Sequence, residues 1–118
     1  MDWMIEQDGV TVELILEPAE ITYGMYGMKR KEFLRETQPG TFEVLLIQDR
    51  LEAHCAMIDE QAREMEESII SRMMVTEGIT EELKTQNQME WIRRINMIRA
   101  QAQEIVLTEI IQKELLLN

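Results

Sequence analysis

Between Thr41 and Glu77 the chain runs for thirty-seven residues with neither proline nor glycine, and one apolar line threads through it. Leu51, Cys55, Ile58, Ala62, Met65, Ile69 and Met73 follow steps of 4, 3, 4, 3, 4 and 4, close to a coiled-coil seam. Asp, Glu, Arg and Gln fill the opposite face. A single helix over 41–77 would extend roughly 55 Å at 1.5 Å per residue. Residues 42–47 are apolar on all sides, which marks Gln48–Asp49 as the place where such a helix would break.

The flanks of this line set the rest of the expected architecture. Gly78 supplies a helix stop and Thr80 an N-cap, with Glu81 and Glu82 well placed against the first-turn dipole of a second long helix over 80–114. Its apolar set is Met89, Ile92, Ile95, Ile98 or Arg99, Ala102, Ile105, Val106 and Ile110. The short connection makes the two long helices antiparallel neighbours. Upstream, Pro39-Gly40 closes a shorter helix over 21–37, in which Met25, Met28, Tyr26, Phe33 and Leu34 supply the apolar contacts. Gly24 and Gly27 weaken that helix by about 1 kcal/mol each relative to alanine, but glycines three apart let another backbone come close. At the N-terminus Trp3, Ile5, Val10, Val12, Leu14 and Leu16 alternate with polar residues around Asp8-Gly9, the pattern of a β-hairpin over 1–17 that Pro18 ends. The expected fold is one mainly α domain over 1–118. It comprises a long antiparallel, coiled-coil-like helical hairpin, a shorter helix and a small N-terminal β-hairpin.

Charge narrows the function. Twelve Lys and Arg stand against 23 Asp and Glu, a formal charge of −11. Residues 1–22 carry six acids and no base, residues 39–78 nine acids and three bases, and residues 79–118 six and five. The one net-positive stretch is 23–38, with four bases and two acids. Such a field opposes direct nucleic-acid binding, because affinity for DNA comes largely from Lys and Arg displacing condensed counterions. Basic protein surfaces are the natural partners. One cysteine rules out an intramolecular disulfide, and one histidine beside it rules out zinc sites built from several Cys and His. No stretch approaches the roughly 18 apolar residues of a membrane span. A cytoplasmic protein without membrane contact is expected.

Little in the chain points to catalysis. His54 and Cys55 are adjacent, about 100° apart on a helix, so they do not converge on one ion. Cys55 lies on the apolar line, where a free thiol packs as a small hydrophobe. Phosphate loops, nucleophile elbows and dinucleotide fingerprints are absent. The expectation is a non-enzyme with no metal and no cofactor. Two charged sets then stand out. Asp59, Glu60, Glu64, Glu66 and Glu67 on the long helix, with Glu13, Glu17 and Glu20 upstream, are candidate contacts for a basic partner; the plain alternative is a solvated face. Lys29, Arg30, Lys31 and Arg35, with Arg93 and Arg94, are candidate phosphate contacts; the plain alternative for the last two is pairing with Glu90. Met25, Met28, Met57, Met65, Met73, Met74, Met89 and Met97 offer an adaptable apolar surface for a homodimer.

Several stretches carry a resemblance. Gly24-x-x-Gly27-x-x-Arg30-Lys31-Glu32-Phe33-Leu34-x-Glu36-x-x-Pro39 opens it, and Ile58-Asp59-Glu60-Gln61-Ala62 follows. Next come Glu77-Gly78-Ile79-Thr80-Glu81-Glu82-Leu83-Lys84, then Met89-Glu90-Trp91-Ile92-Arg93-Arg94-Ile95-Asn96-Met97-Ile98-Arg99, and Glu104-Ile105-Val106. Over about residues 20–111 the chain resembles the transposon-encoded TnpV family. The resemblance implies a protein of mobilisable elements in gut-type Gram-positive bacteria, carried beside recombinase and mobilisation genes and with no enzymatic activity attached. Joined to the charge, it yields two expectations. The first is an inhibitor that occupies the basic nucleic-acid cleft of a host defence nuclease, as an anti-CRISPR protein would with a Cas9-type target. The second is an excisionase-like accessory factor of the element's recombinase, touching DNA through Lys29, Arg30, Lys31 and Arg35.

Overall fold

The computed structural model describes residues 20–115. Five α-helices follow one another: α1 (Met25–Thr37), α2 (Pro39–Ile47), α3 (Leu51–Thr76), α4 (Glu81–Gln86) and α5 (Gln88–Val106), and α5 opens into a π-helical turn over Leu107–Ile111. The expected mixture of helices with a β-hairpin is corrected here. Every regular element among the described residues is helical, and the hairpin placed at 1–17 lies outside those residues.

Two expected long helices are each interrupted by a residue with its own reason to leave the helix. Asp49 takes φ of 58°, a left-handed conformation that aspartate tolerates better than most side chains. Arg50 N–H then donates to Leu45 O (2.8 Å) and Asp49 N–H to Leu46 O (3.1 Å), a Schellman closure that separates α2 from α3. The same closure recurs at Gly78, where φ is +67°: Ile79 N–H donates to Met74 O (2.9 Å) and Gly78 N–H to Val75 O (3.2 Å). Thr80 caps α4, its hydroxyl oxygen accepting from Leu83 N–H, as the sequence predicts. Asn87 ends α4 and caps α5 by accepting from Glu90 N–H (3.2 Å), so the predicted helix over 80–114 is divided there.

Packing is antiparallel between α3 and α5. Ile58, Ala62 and Ile69 of α3 share one buried cluster with Ala102, Val106 and Ile111. Ile70, Met73 and Met74 meet a second cluster around Ile95, Ile98 and Ile79. As α3 advances, its partners on α5 therefore recede. The core stripe of α5 runs through Trp91, Ile95, Ile98, Ala102 and Val106. The expected members Met89 and Ile92 instead face solvent, Met89 at 81% exposure. On α1 a similar offset holds: Tyr26, Gly27, Arg30 and Leu34 are buried, whereas Met25 and Met28 are exposed. Gly27 explains the offset. A Cβ there would stand 2.9 Å from the Cys55 carbonyl oxygen, so the missing side chain lets α1 lie directly on the α3 backbone. Leu34, Leu45, Leu51 and Cys55 close the adjoining core.

Candidate functional site

The charged residues singled out in the sequence fall into two groups once folded. One group is consumed by a polar clamp between α1, α3 and the end of the helical array. Asp59 is 1% exposed; its Oδ1 accepts from the Gly27 backbone N–H (2.9 Å) and its Oδ2 from Arg63 Nε (2.9 Å). Arg30, 3% exposed, donates through Nη1 to the carbonyl oxygens of Ile111 (2.8 Å) and Lys113, and through Nε to His54 Nε2 (3.1 Å). Its guanidinium also lies 5.5 Å from the centre of the Phe33 ring. Burial lowers the Arg30 pKa. It lowers that of His54 as well, assisted by the nearby Arg30 and Arg50 cations. The bond from Arg30 requires an unprotonated His54 Nε2, in agreement with that direction.

Glu52 anchors the neighbouring part of the clamp. The Tyr23 hydroxyl donates to its Oε1 (2.6 Å) and Lys31 Nζ to its Oε2 (2.9 Å), and these bonds hold the carboxyl below the usual range. Tyr26 donates to Glu66 in the same manner one helical segment further along. Burial raises the pKa of both tyrosines. It also pushes the Cys55 thiol up to about 11, which leaves a packed, protonated sulfur rather than a nucleophile. At the far end Gln38 binds the Leu115 backbone in both directions, donating to its oxygen and accepting from its N–H, each at 2.8 Å.

Several candidate contacts are already engaged within the fold. Asp59 is not part of an open acidic face, because its two oxygens are committed inside the α1–α3 joint. Arg30 is buried, with Nη1 on the Ile111 and Lys113 carbonyls and Nε on His54. Lys31 is paired with Glu52. Arg93 and Arg94 both pair with Glu90, at 2.7 and 2.8 Å, and Arg93 leads in holding that carboxyl down at about 2. Of the basic island, Lys29 and Arg35 are exposed without an ion-pair partner among the described residues.

The second group stays open. Glu60, Glu64 and Glu67 are exposed on α3 and line one shallow depression with Arg63 and the half-buried Glu66. Successive turns set the Cβ atoms of these residues about 5–6 Å apart. Arg63, the one cation in the depression among the described residues, is bound to Asp59. Glu20 is exposed, and Glu13 and Glu17 lie outside the described residues. Sequence reasoning misses Glu52 and Gln38, whose roles arise from partners 21 to 77 residues away. Among the described residues no group of three His, Cys, Asp or Glu is placed to hold a metal ion, and no helix is long and apolar enough to cross a membrane.

Fold and site together define a class: a small helical protein whose conspicuous polar residues lock helices to one another, while a carboxylate stripe on α3 faces outward. A family model described as transposon-encoded protein TnpV matches residues 5–111, and the chain belongs to that family. No curated protein and no solved structure matches it.

Proposed function

We propose that this TnpV protein is a non-enzymatic interaction factor of its transposon, and that the stripe formed by Glu60, Glu64 and Glu67 docks on a basic surface of a nucleic-acid-handling protein. The observation that carries the reading is the uncompensated charge of that stripe. Like charges three and four residues apart on a helix each cost a few tenths of a kcal/mol, about 0.2–0.5. A basic cleft relieves that repulsion and gains complementarity across the interface. In its sharpest form the partner is a host defence nuclease of the Cas9 type, and the stripe competes with nucleic acid for the positive channel. An excisionase-like role through Lys29, Arg30, Lys31 and Arg35 draws no support from this geometry, since Arg30 is buried and Lys31 is paired.

The reading has a direct test. The protein is added to a Cas9 cleavage assay over a range of salt, beside the triple variant Glu60→Lys, Glu64→Lys, Glu67→Lys. Glu66 is left intact because it accepts the Tyr26 hydroxyl. Inhibition should weaken steeply with salt and vanish in the triple variant while helicity persists. Inhibition that survives the reversal reduces the stripe to a solvated surface. Absence of inhibition removes the Cas9-type target, and capture of the element's recombinase by wild type but not by the variant then decides whether the stripe docks at all.

A further inference from the structure

A second surface lies further along α3, where the polar clamp ends. The half-buried Met65 and Met73 and the buried Ile69 between them form the floor of an open groove of about 680 Å³, which Ile105 of α5 and the exposed, rim-forming Glu77 and Glu109 also line. The floor residues are spaced four apart, so they cover about 12 Å of helix, between two and three turns. Two of the three are methionines, unbranched and polarisable side chains that accommodate differently shaped apolar partners. Ile105, 42% exposed, extends the apolar surface toward solvent. Glu109 belongs to the π-helical turn Leu107–Ile111, in which Gln112 N–H reaches back five residues to Leu107 O (2.9 Å). Widened turns of this kind recur at functional sites more often than in plain helix.

Charge selects the occupant. Among the described residues Arg72 is the one cation lining the groove, against Glu77 and Glu109. A second copy of the chain would bring its own −11. In a two-fold interface the patch would meet its own copy, with the same excess of two acids over one base. We propose that the groove seats an amphipathic helix of a basic partner protein. Apolar side chains at i, i+4 and i+7 of that helix lie along Met65, Ile69 and Met73, and its flanking lysines or arginines reach Glu77 and Glu109. This surface is distinct from the Glu60–Glu64–Glu67 stripe, and the two stand or fall separately.

The experiment uses the full chain and a fluorescent peptide of about four helical turns with leucines on one face and lysines elsewhere. One control has the same composition in scrambled register, and the other keeps the register but replaces lysine by glutamate. At about 0.15 M salt the amphipathic Leu/Lys peptide should bind at least about tenfold more tightly than either control. The double variant Ile105→Glu, Glu109→Ile changes two exposed positions and leaves the floor intact; it should lower affinity by about tenfold while circular dichroism and the urea midpoint hold. Equal binding of the scrambled peptide would show that charge alone attracts it, and undiminished binding by the variant would place the peptide elsewhere. Either outcome overturns the proposal. So does failure of the peptide to bind, or a concentration-dependent dimer in sedimentation that the variant dissolves, which would assign the groove to a second copy.

Discussion

The two halves of α3 solve the same packing problem in opposite ways. Its first half adds polar bonds to its apolar contact with α1 and the residues before it: Glu52 takes Tyr23 and Lys31, and Asp59 takes the Gly27 backbone. Its second half meets α5 through Ile69, Ile70, Met73 and Met74, with no buried ionic partner among the described residues. Directional bonds define one register, because a shift of a single residue would strand a buried donor or acceptor. Methionine and isoleucine contacts are less selective and tolerate alternatives. The same helix therefore has a rigid end that joins the fold and a permissive end that leaves apolar surface open.

The largest break in this contrast should come from Asp59→Leu. The Gly27 N–H would lose its acceptor inside the α1–α3 joint, and stability measured by urea unfolding should fall by about 3 kcal/mol. Asp59→Asn keeps an acceptor oxygen and should lose clearly less. If leucine is tolerated, the joint is held by shape rather than by its polar bonds. A smaller effect belongs to His54. Folded His54 resists the proton that the unfolded chain takes up near pH 6.5, so stability is complete above that pH and declines as pH drops through it. The urea midpoint followed from about pH 7.5 to 5.5 should decline, and His54→Gln should flatten the decline. Glu52, held low by its bonds, adds its own loss only near and below pH 4.5, a separate window. Smallest of all should be Met73→Leu in the permissive half, within about 1 kcal/mol by the same unfolding measurement. A cost as large as that of Asp59→Leu would erase the distinction between the two halves.

What was legible in the chain was local. The spacing from Leu51 to Met73 placed α3, and the Thr80 cap and Gly78 stop lay within a few residues of the groups they satisfy. The exposed positions of Glu60, Glu64 and Glu67 also followed from helical spacing. Asn87 was readable in principle, since Asn87-x-x-Glu90 carries the spacing of an N-terminal capping pair. Arg30 and Asp59 were not. Each sits among like-charged or polar neighbours that suggest a solvated surface, and each is buried by partners distant in the chain: Ile111 and Lys113 for Arg30, Gly27 for Asp59. Gly27 was the available hint, because a glycine that admits a neighbouring backbone also admits a hydrogen bond to its own.

The bonds from Arg30 to Ile111 and Lys113, and from Gln38 to Leu115, span 77 to 83 residues. They close the described part of the chain on itself. Loop closure makes such long-range bonds costly in entropy, and contact order predicts that they form after the local helices. In kinetic terms the clamp is expected to behave as a latch set late in folding. Its strength then governs how slowly the protein opens far more than how quickly it assembles.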